Sequence, residues 1–411
     1  VDIDPAADVL HVQLTADEAT FPIGGHEVEG YAYNGQVPGP TLRATVGDTL
    51  VVELTNALDD PTTIHWHGVD APYAMDGVTW EHDPVLPGET FTYTFELTRA
   101  GTYWYHPHFD TAMQVDHGLY GALIVEDPAD PTVDHELVMV WDSWGEFDTV
   151  GNPEHHGFDF LPEAWTVNGL LQPELAVQAG ETVRARFVNV SSTGYLALPA
   201  AGWRQVGSDQ GVLAAAATPE LLILGPGDRA DLELLPGEGD ILLETAPWSL
   251  AGPTDFTNTP SELMWLRVDA PGSPAAALDW PFTGLAPTAD PAWVDIVYVL
   301  TGDPHTGVWL INGEQFPDVT IEQVVLGAEA IIEVRNLSPT NHPFHIHGQP
   351  FEVLSLDGVP PAVRTMEDTV DLEPQQTARL RLVGTNPGKW MTHCHILPHA
   401  EQGMMTVLAV E

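Results

Sequence analysis

The chain has 411 residues, 44% of them hydrophobic, enough for two to four domains with real cores, and sets 60 Asp plus Glu against 12 Lys plus Arg. A formal net charge of −48 argues against nucleic acid and anionic membranes as partners. No apolar run approaches the roughly 20 residues of a membrane span, and a single cysteine permits no intramolecular disulfide.

Such an acidic surface is expected of an ordinary secreted protein and equally of a salt-adapted, halotolerant one, in which screening shortens the reach of self-repulsion. The sequence opens at Val1 without a basic-then-apolar leader, as a cytosolic chain does, or one whose signal peptide has been removed. The 36 Pro and 37 Gly favour short strands and tight turns over long helices.

Taken in order, the elements repeat. Residues 33–56 read YNGQVPGPTLRATVGDTLVVELTN, residues 167–189 VNGLLQPELAVQAGETVRARFVN, and residues 311–336 INGEQFPDVTIEQVVLGAEAIIEVRN. Each copy has Asn-Gly, an apolar strand, a turn glycine (Gly47, Gly180, Gly327), an alternating strand and a closing Asn56, Asn189 or Asn336. The copies start roughly 134 and 144 residues apart, one domain each. A second turn signal follows in every copy: Leu86-Pro87-Gly88-Glu89, Gly225-Pro226-Gly227-Asp228 and Glu373-Pro374-Gln375-Gln376. The strands after it alternate at period two, as half-buried sandwich strands do. Linkers fall near Glu126–Asp134 and Ala270–Ala292. The expected architecture is all-β, three sandwiches in tandem, over 1–130, 131–275 and 276–411.

The chemistry divides unevenly among them. After Asn56 comes His65-Trp66-His67, and after Asn336 comes His342-Pro343-Phe344-His345-Ile346-His347. After Asn189 stands Ser191-Ser192-Thr193-Gly194, without histidine, so the middle unit reads as a spacer. Four His-x-His pairs exist: His65/His67, His106/His108, His345/His347 and His393/His395. Period two puts both members of a pair on one strand face. Eight imidazoles without carboxylates suit copper better than the oxygen-seeking calcium or magnesium. The only cysteine, Cys394, sits between His393 and His395, with His399 and Met404 after it. Read as a strand, this stretch points His393 and His395 one way and Cys394 the other. Thiolate, imidazoles and a distant thioether form the ligand set of an electron-transfer copper, which argues for a redox metal throughout.

These four blocks resemble the copper-binding signatures of the multicopper oxidases, and the chain is similar along its whole length to the three-domain, laccase-like members. The resemblance implies cupredoxin-like (Greek-key β-sandwich) domains and four copper ions. A type 1 copper would be held by His342, Cys394 and His399 with Met404 axial. A type 2 copper would be held by His65 and His345. A type 3 pair would be held by His67, His106 and His395 on one ion and His108, His347 and His393 on the other. Electrons from phenols or aromatic amines would enter at Cys394, through an exposed edge of His399 or His342, and pass by His393 and His395 to the cluster that reduces O₂ to water. Asp76, in Ala74-Met75-Asp76-Gly77, matches a family acid beside the cluster and is the candidate proton relay. Leu397 and Ala400 stand where a second acid can follow the last block, leaving Asp110, Glu401 and Asp116 as substitutes.

Three other readings are open. A metallo-oxidase for Cu(I) or Fe(II) often carries a Met-rich insertion, and the eight Met here form none. A copper nitrite reductase needs fewer imidazoles, and a non-catalytic copper store or cell-envelope protein would have lost ligands. The other histidines read as surface or supporting residues, with His155-His156 a candidate for the substrate entrance. The whole set of ligands within one chain favours a monomer, and copper oxidases of this type act in the periplasm or outside the cell.

Overall fold

The computed structural model describes residues 2–4, 6–23, 26–80, 82–144, 164–246, 261–270 and 272–411. It is 50% strand and 4% helix, so the all-β expectation holds. Among the described residues, strands occupy three zones, Val9–Glu126, His135–Val268 and Ile296–Val410, with strand-free stretches between them. Each zone encloses its own hydrophobic core.

The repeated Asn-Gly pairs are turns of one kind. Asn34, Asn168 and Asn312 have φ of 56°, 53° and 56°, and the glycines after them 72°, 75° and 74°. Two consecutive positive φ values are what Asn-Gly tolerates best. Each Asn side chain also grips a neighbouring strand twice: Asn34 accepts from Thr15 N and donates to Gln13 O, Asn168 does so with Val140 and Val138, and Asn312 with Val299 and Val297.

The closing asparagines repeat as faithfully. Asn56 Nδ2 donates to Asp60 O and Val85 O, Asn189 Nδ2 to Gly194 O and Leu224 O, and Asn336 Nδ2 to Thr340 O and Leu372 O. A fully buried amide must find such partners, and here it ties the strand end to the loop that follows. In the outer units that loop leads into the strand that carries the histidines, His65–His67 or His342–Ile346.

In the first unit, strands His26–Tyr33, Val9–Ile23, Thr49–Asn56 and Thr90–Glu96 form one sheet; Leu42–Thr45, Gly121–Glu126, Gly101–His106 and His65–His67 form the other. The third unit packs a six-stranded sheet on a five-stranded one that includes His342–Ile346 and Gly388–Cys394. Both outer units pair their two His-x-His blocks as antiparallel neighbours. His65 faces His106 across one ladder, and His345 faces His393 across the other.

Candidate metal centre

The first and third units meet at these ladders. His65 stacks on His347 with ring centroids 3.8 Å apart, and His67 on His345 at 3.9 Å. Three sets of side chains bring one donor atom each to within 4.8 Å of one another: His67, His106 and His395; His108, His347 and His393; and His342, Cys394 and His399. His65 and His345 meet in a further set with His67, and among the described residues no grouped side chain lies in 131–275.

Hydrogen bonds decide which nitrogen of each ring stays available. His106 Nδ1 lies 2.9 Å from Pro107 O, and His393 Nδ1 2.9 Å from Cys394 O. His65 Nδ1 is 3.0 Å from Asp76 O, and His345 Nδ1 2.9 Å from Asp368 O. In these four rings Nε2 is turned inward. His67 is reversed, with Nε2 3.0 Å from Asp368 Oδ1 and Nδ1 free. A partner on one ring nitrogen sets the tautomer and aims the other.

Six buried ring nitrogens lack any partner: His65 Nε2, His67 Nδ1, His106 Nε2, His345 Nε2 and both of His395. Leaving a buried polar group unmade costs about 1–3 kcal/mol, so six in one place call for a shared ligand. Burial and the neighbouring rings hold His67, His106, His108, His347 and His395 well below the usual imidazole range, and His393 down at about 3. Neutral imidazoles with their lone pairs turned inward are ready metal ligands.

The sulfur site has the same character. Cys394 Sγ is 3.3 Å from His342 Nδ1 and 3.7 Å from His399 Nδ1, and the two nitrogens are 3.3 Å apart. His342 Nε2 is held by Ser338 Oγ at 2.6 Å. Burial lowers His342 to about 3 and raises the Cys394 thiol, which a coordinated soft cation would reverse. Met404 is fully buried in the core that contains Cys394; its N–H donates to His399 O at 3.0 Å, and its carbonyl accepts from Cys394 N at 3.2 Å. Both sites fit copper by donor type.

One expectation needs correction and another narrows. The stretch His393–His399 is not one strand: the strand ends at Cys394, and His399 sits on the short helix Leu397–Glu401. Pro398 has no N–H for a ladder and suits the first helical turn, while Ile396 N donates to Cys394 Sγ at 3.4 Å. His342 is fully buried, so of the two imidazoles at the sulfur only His399, 7% exposed, reaches solvent.

Asp76 lies between the units. Its Oδ2 is 2.9 Å from His347 Nδ1 and its Oδ1 3.2 Å from His65 Nδ1. Gly77 turns the chain here at φ 76°, where a Cβ would stand 1.8 Å from Ile64 O. Of the substitute acids, Asp110 and Glu401 line a cavity of about 530 Å³ whose wall includes His108 and His393; Asp116 is not among its lining residues. Glu401 also accepts from Ala112 N at 2.7 Å. His155-His156 lies outside the described residues. His11 and His135 pair with Glu53 and Glu181, away from the cluster.

Sequence reasoning missed Asp368, Ser338 and Trp309, which stacks on His399. Ser338 follows the closing Asn336 by two residues, the place of the residue bonded to Asn189 in the middle unit, a signal that was there to be used.

Residues 15–130 and 289–411 each match a family model described as multicopper oxidase. The multicopper oxidase MmcO of Mycobacterium tuberculosis is 31% identical over 96% of this chain and 86% of its own length. The chain belongs to the multicopper oxidase family. As a multicopper oxidase it is an oxidoreductase that uses copper. Among solved structures, a Campylobacter jejuni multicopper oxidase described as a metallo-oxidase superposes with TM-score 0.85 at 27% identity, over 100% of this chain and 93% of the other. A Pediococcus acidilactici laccase does so with TM-score 0.85 at 26% identity, over 100% and 92%.

Proposed function

We propose that this multicopper oxidase is of laccase type and couples one-electron oxidation of phenols and aromatic amines to reduction of O₂ to water. The observation that carries the reading is the covalent adjacency at Cys394. Its sulfur belongs to one donor set, while His393 and His395 belong to the two others. Four coppers fit these donors: one at His342, Cys394 and His399 with Met404 behind, one at His65 and His345, and a pair at the remaining six histidines. Bound copper would supply the one-electron steps and the binding of O₂.

The chain's own residues do the rest. His399 keeps 7% of its surface exposed where His342 keeps none, so a flat, easily oxidised donor would make contact there and need little else. The backbone from Cys394 to its two neighbours joins that point to the cluster. Each O₂ takes four electrons and four protons to give two waters. Asp76, bonded to rings from both units, is placed to hold and pass protons there, and Glu401 and Asp110 stand on the cavity by which O₂ and water would reach His108 and His393.

The methionines support an aromatic donor over a metal one. Met404 is buried with Cys394, and Met391 and Met405 line the cavity beside His393, so the three form no thioether path outside His399. A metallo-oxidase reading is favoured by the acidic surface, which gathers cations, and by the description of the Campylobacter relative. Oxygen uptake driven by a phenol, compared with uptake driven by Cu(I) or Fe(II), separates the two. Faster turnover on the metal ions overturns the laccase reading. In either case Cys394→Ser is expected to abolish uptake; persistence would remove the enzymatic reading altogether. We further propose three units at 1–130, 131–275 and 276–411, a monomer, and a periplasmic or secreted location. Among the described residues no helix is long and apolar enough to cross a membrane.

A further inference from the structure

Among the described residues the middle unit adds no side chain to the grouped donors, yet it reaches the cluster. Its turn Gly225–Asp228 leads into the strand Arg229–Leu234 and brings Gly227 against two ligand rings: a Cβ there would stand 3.0 Å from His395 Cγ and 3.1 Å from His67 Cε1. Two residues on, the Arg229 guanidinium is fully buried and forks onto Asp368 of the third unit. Nη1 donates to Asp368 Oδ1 at 2.7 Å, and Nη2 to Oδ2. Its remaining donors are spent on backbone: Nε on Thr102 O of the first unit, Nη1 on Gly227 O and Nη2 on Asp209 O, each at 3.0 Å.

Asp368 in turn faces both stacked histidines. Its Oδ1 is 3.0 Å from His67 Nε2 and 3.5 Å from His345 Nδ1, and its backbone oxygen is 2.9 Å from the latter. Gln210 of the middle unit donates to Oδ2 at 2.6 Å, and Asp209 Oδ2 accepts from Asp368 N at 3.3 Å and Thr369 N at 3.1 Å. The carboxylate that orients two rings is therefore itself held in place, on both oxygens, by the middle unit.

We propose that Arg229 is a positioning residue of the oxygen-reducing cluster, acting through Asp368. By fixing the carboxylate against His67 Nε2, it keeps that ring reversed so that Nδ1 faces the metal, and it aligns His345 beside it. The middle unit thus sets cluster geometry by direct bonding, beyond keeping the outer units apart. Planar two-point contact is what a guanidinium supplies and an ammonium does not. The inference rests on the reading that the eight histidines hold copper.

The test compares wild type, Arg229→Met, Asp368→Asn and the paired Arg229→Met/Asp368→Asn variant, all copper-loaded. Removing one partner strands a buried charge and threatens folding, whereas removing both leaves only the buried Asp209 carboxylate, 3.4 Å from Arg229 Nη1, which keeps the N–H groups of Arg229, Asp368 and Thr369 as donors. Three readouts are taken: melting temperature, retention of copper against a chelator, and the paramagnetic resonance of the non-blue copper. The visible band of the thiolate site serves as an internal control. The expected result is that the paired variant recovers the melting temperature lost by Arg229→Met and keeps its colour. It is still expected to surrender cluster copper with about 10- to 100-fold weaker affinity, the usual cost of losing a partner behind a ligand, and with an altered resonance. A paired variant that holds copper as wild type does, with an unchanged resonance, overturns the proposal and leaves Arg229 a folding residue. A coloured wild type that binds a single copper overturns the cluster reading beneath it, and the proposal falls with that reading.

Discussion

Trp309 stacks on His399, ring centroids 3.8 Å apart with planes 27° from parallel. The indole is fully buried, so one face of the imidazole that reaches solvent is covered by the third unit's core. Trp309→Ala should cost about 3–5 kcal/mol, as large-to-small core changes do, and Trp309→Phe clearly less, because a flat ring remains. Urea unfolding followed at two wavelengths measures both. An unchanged midpoint in Trp309→Ala would mean the ring adds no packing at this site.

Asp76→Asn should uncouple the two halves of the reaction. The carboxylate touches His65 and His347 but neither His342 nor His399. Oxygen consumption is expected to fall roughly 10- to 100-fold, while anaerobic bleaching of the visible band by a phenol keeps its wild-type rate. Equal losses in both assays would show that Asp76 acts on electron entry or on the fold instead.

Asp142 offers a pH-linked prediction away from the metal donors. Burial raises its carboxyl to about 8 despite the hydrogen bond that Tyr120 donates at 2.6 Å. A folded-state value above the unfolded one means the native state holds a proton that the unfolded chain releases. That contribution is whole below about pH 4 and is lost as pH climbs towards 8. Between pH 5 and 7.5, Asp142→Asn should therefore flatten the fall of stability, the two proteins' difference changing by on the order of 1 kcal/mol per pH unit. Parallel stability curves for the two proteins would refute it.

Salt should stabilise the fold. Arg184, Arg186 and Arg229 are buried in pairs with Asp231 and Asp368, so several of the 12 basic residues do nothing to offset the surface acids. Screening at molar sodium chloride, with a Debye length of about 3 Å, removes most of the repulsion among exposed carboxylates. The melting temperature is expected to rise steadily from low to high salt. Equal melting in both would count against salt adaptation.

How much of this was legible in one dimension follows from the range of each interaction. Strand alternation, the Asn-Gly turns with their paired positive φ, and the two-residue spacing of the histidine pairs are local, written within a few neighbouring positions. So were the family's four blocks and the thiolate between His393 and His395. Orientation was not. Which nitrogen of each imidazole faces inward depends on partners such as Asp76 for His347 and Asp368 for His67, 271 and 301 residues away. Among 60 acidic residues, nothing nearby in the chain marks Asp368 as the one held by Arg229. Its role appears only when three units meet, because desolvating a charge makes its few remaining contacts decisive. Likewise the complete burial of His342 and the slight residual exposure of His399 come from how the core closes around the sulfur. Spacing along a strand has no part in that.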